Sequence, residues 1–291
     1  MHDFLLERPD TLRAAHDLLQ RYGTKAMLKA GGTDLLIWIK RGVVLPECLV
    51  DLSLIPLLQE LSLSEAEMCI GAGVSVARFL SAEAISTHFP ALVDACNSHS
   101  DPLVRNRATV VGNVCSAVPS GDLIAPLFAY DTQLEIHGPT GSRSCGIDEF
   151  ITRPRKTTLQ PGEIVTCLHV PLPKPPSSGS YQKAMRREAL DIAQAGVCCV
   201  FSGKAQEPAG RKVRLTFSAV SAKPVRALKA EHILEQANQL DESMLQEVAI
   251  LARQAVAPIT DVRASSEYRL DMVAELTRRA VRACFAERGE A

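Results

Sequence analysis

A proline-rich segment at residues 173–179, which reads PKPPSSG, divides the sequence into two parts of different pattern. Adjacent prolines followed by Ser-Ser-Gly favour neither a helix nor a central strand, so we predict a linker there. The runs after it read as three strands and then three helices, at 181–187, 195–202, 213–220, 225–239, 243–256 and 265–287. Strands followed by helices indicate a domain of α+β class, a three-stranded antiparallel sheet with a helical bundle. We therefore predict domains at 1–175 and 180–291.

Length and charge set the broad class of the protein. The chain has 291 residues, of which 46% are apolar, and this is typical of a globular protein of two domains. Its net charge is −1 without a basic block, so we expect no nucleic-acid partner. No apolar run approaches the ~20 residues of a membrane span. The start, MHDFLLERPD, lacks the basic segment of a signal peptide, so we expect a cytoplasmic protein.

The nine cysteines do not form the spacing of a disulfide framework or a metal site. None belongs to a Cys-x-x-Cys motif, and Cys198 and Cys199 would point to opposite faces of a strand. We expect reduced thiols in the core and no metal ion in this chain. His169, inside an apolar strand, is predicted to be a structural imidazole rather than a base.

Two glycine-centred loops lie in the first domain, each after a strand-like run. The first follows residues 25–30, reads GGTD, and leads into a short apolar segment at 35–39. Strand, glycine-rich turn and helix present backbone N–H groups to a phosphate. Asp34 in this turn would accept hydrogen bonds from sugar hydroxyls or hold the turn.

The second loop spans residues 105–122 and reads RNRATVVGNVCSAVPSGD. Because it is dense in Gly, Ser, Asn and Pro, we predict irregular backbone rather than a helix or a long strand. Two arginines, without a His or carboxylate pair before Asp122, favour phosphate over metal. A pair of such loops could hold the two phosphates of a dinucleotide, although two unrelated turns explain the pattern equally well. His99, just before the loop, could contact a bound ring.

Motifs of other enzyme classes are missing. There is no G-x-S-x-G nucleophile elbow and no G-x-x-x-x-G-K-[ST] phosphate loop, and no two histidines stand four residues apart. Neither Asp34 nor Asp122 is paired with a second carboxylate. The sequence therefore gives no indication of a hydrolase or a phosphotransferase.

With these motifs quoted, the chain resembles the FAD-binding (medium) subunit of the molybdenum hydroxylases, the family of xanthine dehydrogenase and carbon monoxide dehydrogenase. Residues 30–35 match the family's A-G-G-T/H-x-L loop, and 105–113 match R-N-x-A-T-x-G-G-N, followed by P-x-x-D at 119–122. Further matches lie at 71–75, 162–171, 181–193 and 261–269. The resemblance implies a two-lobed FAD-binding domain of the type found in vanillyl-alcohol oxidases, with lobes at about 1–55 and 56–175.

The resemblance also implies which residues contact FAD. The first loop would surround the pyrophosphate and the second would hold its other side and the ribityl chain. Lys183 would reach the polar edge of the flavin, and Val165 would pack near the flavin or the adenine. The implied FAD-contacting residues are Leu28, Lys29, Ala30, Gly31, Gly32, Thr33, Asp34, Leu35, His99, Thr109, Gly112, Asn113, Ser116, Asp122, Val165 and Lys183.

Partners follow from the same resemblance. A large subunit would oxidise the substrate at a molybdenum cofactor, and a small subunit with two [2Fe-2S] clusters would pass electrons to FAD in this chain. The assembly would be a dimer of heterotrimers, with NAD or another molecule as the final acceptor. Two alternatives remain from the residues alone: a FAD enzyme acting by itself, and a flavin-free assembly subunit.

Val111 departs from the family motif, which has glycine at this position. A β-branched residue cannot adopt a glycine-only conformation without strain of about 1–3 kcal/mol. We expect Val111 to be extended; the alternative is weaker binding of FAD.

Overall fold

The computed structural model describes residues 3–187, 190–204, 210–237 and 239–287. The described strands are β1 Leu5–Glu7, β2 Ala26–Lys29, β3 Cys48–Asp51, β4 Leu61–Leu63, β5 Glu67–Gly71, β6 Gln133–Gly138, β7 Gly141–Gly146, β8 Ile151–Arg153, β9 Lys156–Thr157, β10 Ile164–Pro171, β11 Ser177–Ala184, β12 Ala195–Ser202, β13 Lys212–Ser218 and β14 Val225–Arg226. The described α-helices are α1 Leu12–Tyr22, α2 Leu35–Lys40, α3 Val76–Leu80, α4 Glu83–His88, α5 Pro90–Ser98, α6 Pro102–Arg105, α7 Val110–Cys115, α8 Ile124–Ala129, α9 Ile147–Phe150, α10 Leu228–Gln236, α11 Glu242–Ala255 and α12 Ser266–Glu287. Within these ranges no helix is both long and apolar enough to cross a bilayer.

The chain begins with a small parallel sheet in the order β1-β3-β2. Its central strand β3 is buried on both faces, because successive side chains point in opposite directions. Cys48 and Val50 join the main core, and Leu49 joins a smaller cluster with Leu35 and Ile39 of α2. This packing fixes where β2 ends and α2 begins, which is where the first glycine loop lies.

A five-stranded antiparallel sheet in the order β4-β5-β10-β6-β7 follows. One face carries buried apolar side chains, among them Met68, Ile70, Leu134 and Leu168, and packs into the main core with α5, α7 and α8. The other face carries polar and cysteine side chains. The alternation is the one expected of an antiparallel sheet with a single buried face.

A second antiparallel sheet, β11-β12-β13-β14, lies between the main core and α10 to α12. Cys198 faces the main core and Cys199 the helical side, as the sequence predicted. The sheet has a fourth strand, because residues 225–226 pair with β13 where a helix was predicted to begin. A two-residue strand is too short to give a periodic signal. Residue 238 of that predicted helix and residues 288–291 of the predicted domain lie outside the described residues.

The last three of the seven predicted linker residues belong to β11, which begins at Ser177. Gly179 is buried where β11 meets the first part of the chain, and a Cβ there would lie 2.8 Å from the hydroxyl of Tyr130. This glycine therefore allows close packing rather than flexibility. The boundary at 175–180 stays a prediction.

Candidate functional site

The two glycine-centred loops lie against each other. A Cβ added to Gly31 would lie 1.9 Å from the carbonyl oxygen of Arg107 and 2.7 Å from its carbonyl carbon. Such distances are far below van der Waals contact, so only glycine fits at position 31 while the loops keep this spacing. The two turns are therefore parts of one site.

A third segment, residues 71–75, joins the same site. The N–H of Val110 donates to the carbonyl of Val74 over 3.2 Å, and the N–H of Val76 donates to Ala108 over 2.8 Å. Between these bonds Ser75 and Thr109 form an antiparallel bridge. This segment matches the family in sequence but is not among the predicted FAD-contacting residues.

The first loop presents backbone donors that have no partner in the described part of the protein. The N–H groups of Gly31, Gly32, Thr33 and Asp34 donate to no described residue, and the loop is only half-buried. Gly32 has φ +80°, a conformation that glycine adopts without strain. Consecutive unpaired N–H groups form a concave site for an anion. The hydroxyl of Thr33 also lacks a partner among the described residues.

An ion pair between Lys29 and Asp51 stabilises the backbone just before this loop. The ammonium of Lys29 lies 3.0 Å from Oδ2 of Asp51 and 3.2 Å from the carbonyl oxygen of Ala30. Burial alone would raise the pKa of Asp51, but the hydrogen bonds from Lys29 and Ser53 outweigh it and hold the pKa below its usual value. The Lys29 side chain thus supports the loop from the protein side.

The prediction of irregular backbone for the second loop was wrong, because it contains α7 and the end of α6. Thr109 is the N-cap of α7, and its Oγ1 accepts from the N–H of Gly112 over 3.0 Å. A Cβ on Gly112 would lie 2.6 Å from that oxygen. Thr109 therefore caps the helix, and Gly112, which has no side chain, leaves room for the hydroxyl of Thr109.

Val111 is helical and not extended, which corrects the expectation for this position. It lies within α7, is 2% exposed, and does not have a positive φ. A β-branched residue is therefore accommodated without strain, and its side chain contributes to the main core.

Part of the Arg105 guanidinium is bonded to backbone carbonyls of the protein. Its Nη1 donates to the carbonyls of Asn97, His99 and Ser100, each over 3.2 Å. These are the exposed acceptors at the end of α5, so Arg105 fixes the turn that carries His99. Arg107 is exposed and pairs with no described residue.

We expect Arg105→Ala to destabilise the protein by about 2 kcal/mol, because hydrogen bonds from a charged donor contribute about 1.5–3 kcal/mol and water replaces part of them. Arg107→Ala is the matched control and should change the free energy of unfolding by less than about 0.5 kcal/mol. Urea denaturation of both variants checks this. An equal effect of the two substitutions would contradict the assigned role of Arg105.

A buried charged cluster lies beside α7. Oδ1 of Asp122 lies 2.9 Å from the ammonium of Lys183, and Oδ2 lies 3.2 Å from Nδ1 of His99. The hydroxyl of Tyr181 donates to Oδ1 over 3.3 Å, and Lys183 also donates to the carbonyl of Ser98 over 3.1 Å. Burial, and then the nearby carboxylate of Asp122, raise the pKa of Tyr181 well above its usual value, so it remains a donor.

Helix α7 connects this cluster to the loops. Oδ1 of Asn113 accepts from the N–H of Leu123 over 3.3 Å, and Ser116 donates to the carbonyl of Asn113 over 3.0 Å. Burial raises the pKa of Cys115 to about 12, so this thiol stays protonated and unreactive. The helix therefore links the second loop to the segment that carries Asp122.

The predicted residues of the two loops and of the buried cluster lie on connected segments, while three other predicted residues pack into apolar clusters. Leu28 is half-buried against the main core, Leu35 packs in the small cluster with α2, and Val165 is 4% exposed within the main core. Sequence reasoning missed Tyr181 as a member of the cluster. Its spacing from Lys183 could have indicated this, because residues two apart on a strand lie on the same face.

Two known protein families match the chain over most of its length. Residues 2–173 match the family described as the FAD binding domain in molybdopterin dehydrogenase. Residues 180–284 match the CO dehydrogenase flavoprotein C-terminal domain.

Individual relatives match nearly the whole chain. The putative xanthine dehydrogenase FAD-binding subunit XdhB of Escherichia coli is 32% identical over 295 residues, 99% of each chain. The carbon monoxide dehydrogenase medium chain of Afipia carboxidovorans is 28% identical over 278 residues, 96% of this chain and 95% of the relative. A chain in the structure of reconstituted CO dehydrogenase from Oligotropha carboxidovorans superimposes with a TM-score of 0.92 at 26% identity, over 99% of both chains.

Proposed function

The chain belongs to the FAD-binding subunits of the molybdenum hydroxylase family, and from this premise we propose that it relays electrons from an iron–sulfur partner to an external acceptor. It is an oxidoreductase subunit, and its cofactor is FAD. FAD, when bound, takes up electrons and passes them on. The protein's part is to bind, orient and shield this group.

The first loop would hold the pyrophosphate of FAD. The observation that supports this most strongly is the row of unpaired N–H groups from Gly31 to Asp34, next to a carbonyl of the second loop. Hydrogen bonds to a charged acceptor are roughly twice as strong as neutral ones, so a diphosphate would satisfy these donors well. Thr33 would add its hydroxyl. Thr109, Gly112, Asn113 and Ser116 would line the opposite side.

The buried cluster would position Lys183 towards the flavin or the ribityl chain. Asp122 already accepts from Lys183, His99 and Tyr181, so we assign it to holding these side chains rather than to direct binding. An ammonium has three donors, and Asp122 and the carbonyl of Ser98 take two of them in Lys183. The third would be free for a cofactor oxygen. His99 would lie at the margin of a bound ring.

We propose further that the chain works within a heterotrimer. A large molybdopterin-binding subunit and a small subunit with two [2Fe-2S] clusters would complete it, two such trimers would associate, and NAD or another molecule would accept the electrons. The printed names of the relatives, a FAD-binding subunit and a medium chain, describe components of larger proteins. The nine cysteines are all free, which supports a reducing, cytoplasmic location.

Metal analysis of the natively isolated protein tests the relay. The chain, affinity-tagged in its own cells, should co-purify with two further polypeptides and with molybdenum and iron in a ratio of about one to four, from one cofactor and two [2Fe-2S] clusters. Isolation of a yellow protein free of both metals, active by itself on an organic substrate, would instead identify a stand-alone flavoenzyme.

Gly32→Val should remove FAD from the purified chain. The residue has φ +80°, which a β-branched side chain adopts only with strain, and an added Cβ would lie 3.3 Å from side-chain atoms of Leu36 and Lys29. We therefore expect the loop to change its conformation. The visible absorption bands of oxidised flavin should be absent. Gly42→Val is the matched control, because Gly42 has φ +68° with no atom within 4 Å of an added Cβ. It should carry the same backbone strain and keep its flavin.

A further inference from the structure

The outward face of the five-stranded sheet carries a cluster of side chains that commonly bind metal ions. Cys69 on β5 lies directly opposite His169 on β10, and Cys167 precedes His169 by two residues on the same strand. Residues two apart on a strand share a face, so all three side chains point away from the core. They are half-buried, whereas the neighbouring Met68 on β5 and Leu168 on β10 are buried and point inward.

The distances within the cluster fit a single ion. Sγ of Cys69 lies 3.4 Å from Nδ1 of His169, and the ligand atoms of Cys69, Cys167 and His169 all lie within 4.8 Å of one another. In a tetrahedral zinc site, with bonds of about 2.3 Å to sulfur and about 2.0 Å to nitrogen, the ligand atoms are about 3.5–3.8 Å apart. Small side-chain rotations would bring the three atoms to these distances.

Two carboxylates complete the arrangement. Oε1 of Glu67 lies 2.8 Å from Nδ1 of His169 and 3.6 Å from Sγ of Cys69, in reach of the same point. On the other side of the ring, Nε2 of His169 lies 3.2 Å from Oε2 of Glu135. A metal-binding imidazole usually donates its second N–H to a carboxylate, which fixes the ring and strengthens the ligand.

We propose that Cys69, Cys167 and His169, with Glu67 as the fourth ligand, bind a thiophilic divalent ion of the zinc type. Glu135 is a positioning residue that acts through Nε2 of His169. Two thiolates and an imidazole favour zinc over magnesium or calcium, which prefer oxygen ligands. Cys69 and His169 are 100 residues apart in sequence, so the site has no short spacing motif. We expected no metal ion in this chain because such a motif is missing.

The ion would join β5 to β10 next to the cofactor site. Strand β5 ends at Gly71, where the segment to Ser75 begins, and Ser75 bridges Thr109. In the same region the N–H of Ala72 donates to the carbonyl of Thr166 on β10 over 3.0 Å. Occupancy would therefore stabilise the strand pair that supports the third segment of the site.

Zinc binding to the full chain, purified with reduced thiols and freed of metal by a chelator, tests the proposal. Zinc chloride is added, excess is removed on a desalting column, and bound zinc is measured by elemental analysis. We expect one zinc ion per chain, and X-ray absorption should give two sulfur neighbours at about 2.3 Å. No retained zinc, or a shell of oxygen and nitrogen alone, would overturn the proposal.

Variants separate this site from the other thiols. Cys69→Ser, Cys167→Ser and His169→Gln should each lower zinc affinity by more than about 100-fold, and Glu135→Gln by about 10- to 100-fold. Cys145→Ser is the matched control, because Cys145 lies in the same sheet but faces the core, and it should bind zinc as the parent does. Far-UV circular dichroism verifies that each variant is folded. Unchanged affinity in both folded cluster cysteine variants, or an equal loss in Cys145→Ser, would overturn the proposal.

Discussion

Gly31→Ala is expected to weaken FAD binding by at least about 100-fold. The added methyl would lie 1.9 Å from the carbonyl oxygen of Arg107, so the two loops must separate. Neither contacting atom belongs to a flexible side chain, and the clash cannot be relieved by a rotamer change. If separation removes two hydrogen bonds to a charged phosphate, at about 1.5–3 kcal/mol each, the loss corresponds to about 100-fold or more. Fluorescence titration of the FAD-free chain with FAD measures it.

Gly23→Ala is the control for this substitution. Gly23 ends α1, has φ +54°, and has no atom within 4 Å of an added Cβ. Alanine there introduces backbone strain of about 1–3 kcal/mol without a clash, because φ +54° with ψ −131° is rarely adopted by L-residues. FAD affinity should stay within a factor of about three of the parent, since RT is about 0.6 kcal/mol and no site residue moves. Parent-like affinity in Gly31→Ala would mean that the loops do not act together.

Asp122→Asn is expected to destabilise the FAD-free protein by about 3–5 kcal/mol. The substitution leaves the ammonium of Lys183, whose side chain is 2% exposed, without its counter-charge. Removing one partner of a buried ion pair has this effect because the other charge remains out of water. The free energy of unfolding in urea is the measurement, made without FAD so that binding does not contribute.

A double-mutant cycle completes the test of the buried pair. Combining Asp122→Asn with Lys183→Met removes both charges, so the double variant should be more stable than Asp122→Asn alone. The exposed pair Lys25–Glu47 provides the comparison, since both side chains are more than half exposed. Glu47→Gln should change stability by less than about 1 kcal/mol. A loss below about 1 kcal/mol for Asp122→Asn would contradict the role assigned to Asp122.

Local patterns predicted the elements around the first loop well. The run before GGTD forms β2, and the apolar run after it forms α2, because the glycine turn that separates them lies between neighbouring segments of the sequence. The same holds for β12, where Cys198 and Cys199 face different clusters. The composition of residues 105–122 disfavours a helix, so helix α7 was not predicted, although its N-cap residue is visible in the sequence. Thr109 three residues before Gly112 is an N-cap signature, and it outweighs the low helix propensity of glycine and asparagine.

Contacts between distant segments could not be predicted from the residues. Nothing near Gly31 in sequence indicates that the carbonyl of Arg107 will lie against it, since strand pairing across the sheets determines that approach. Tyr181 and Asp122 are 59 residues apart, and their hydrogen bond depends on β11 packing beside α5. The resemblance to a family grouped many of these positions into one site because the family preserves the fold that joins them.

A crystal structure of the full chain with FAD tests the central claim most directly. The claim is that the first loop binds the pyrophosphate through its backbone, with the second loop closing the other side. It predicts phosphate oxygens at about 2.7–3.2 Å from at least two of the N–H groups of residues 31–34. A bound FAD whose diphosphate lies elsewhere, with those N–H groups still unpaired, would contradict it.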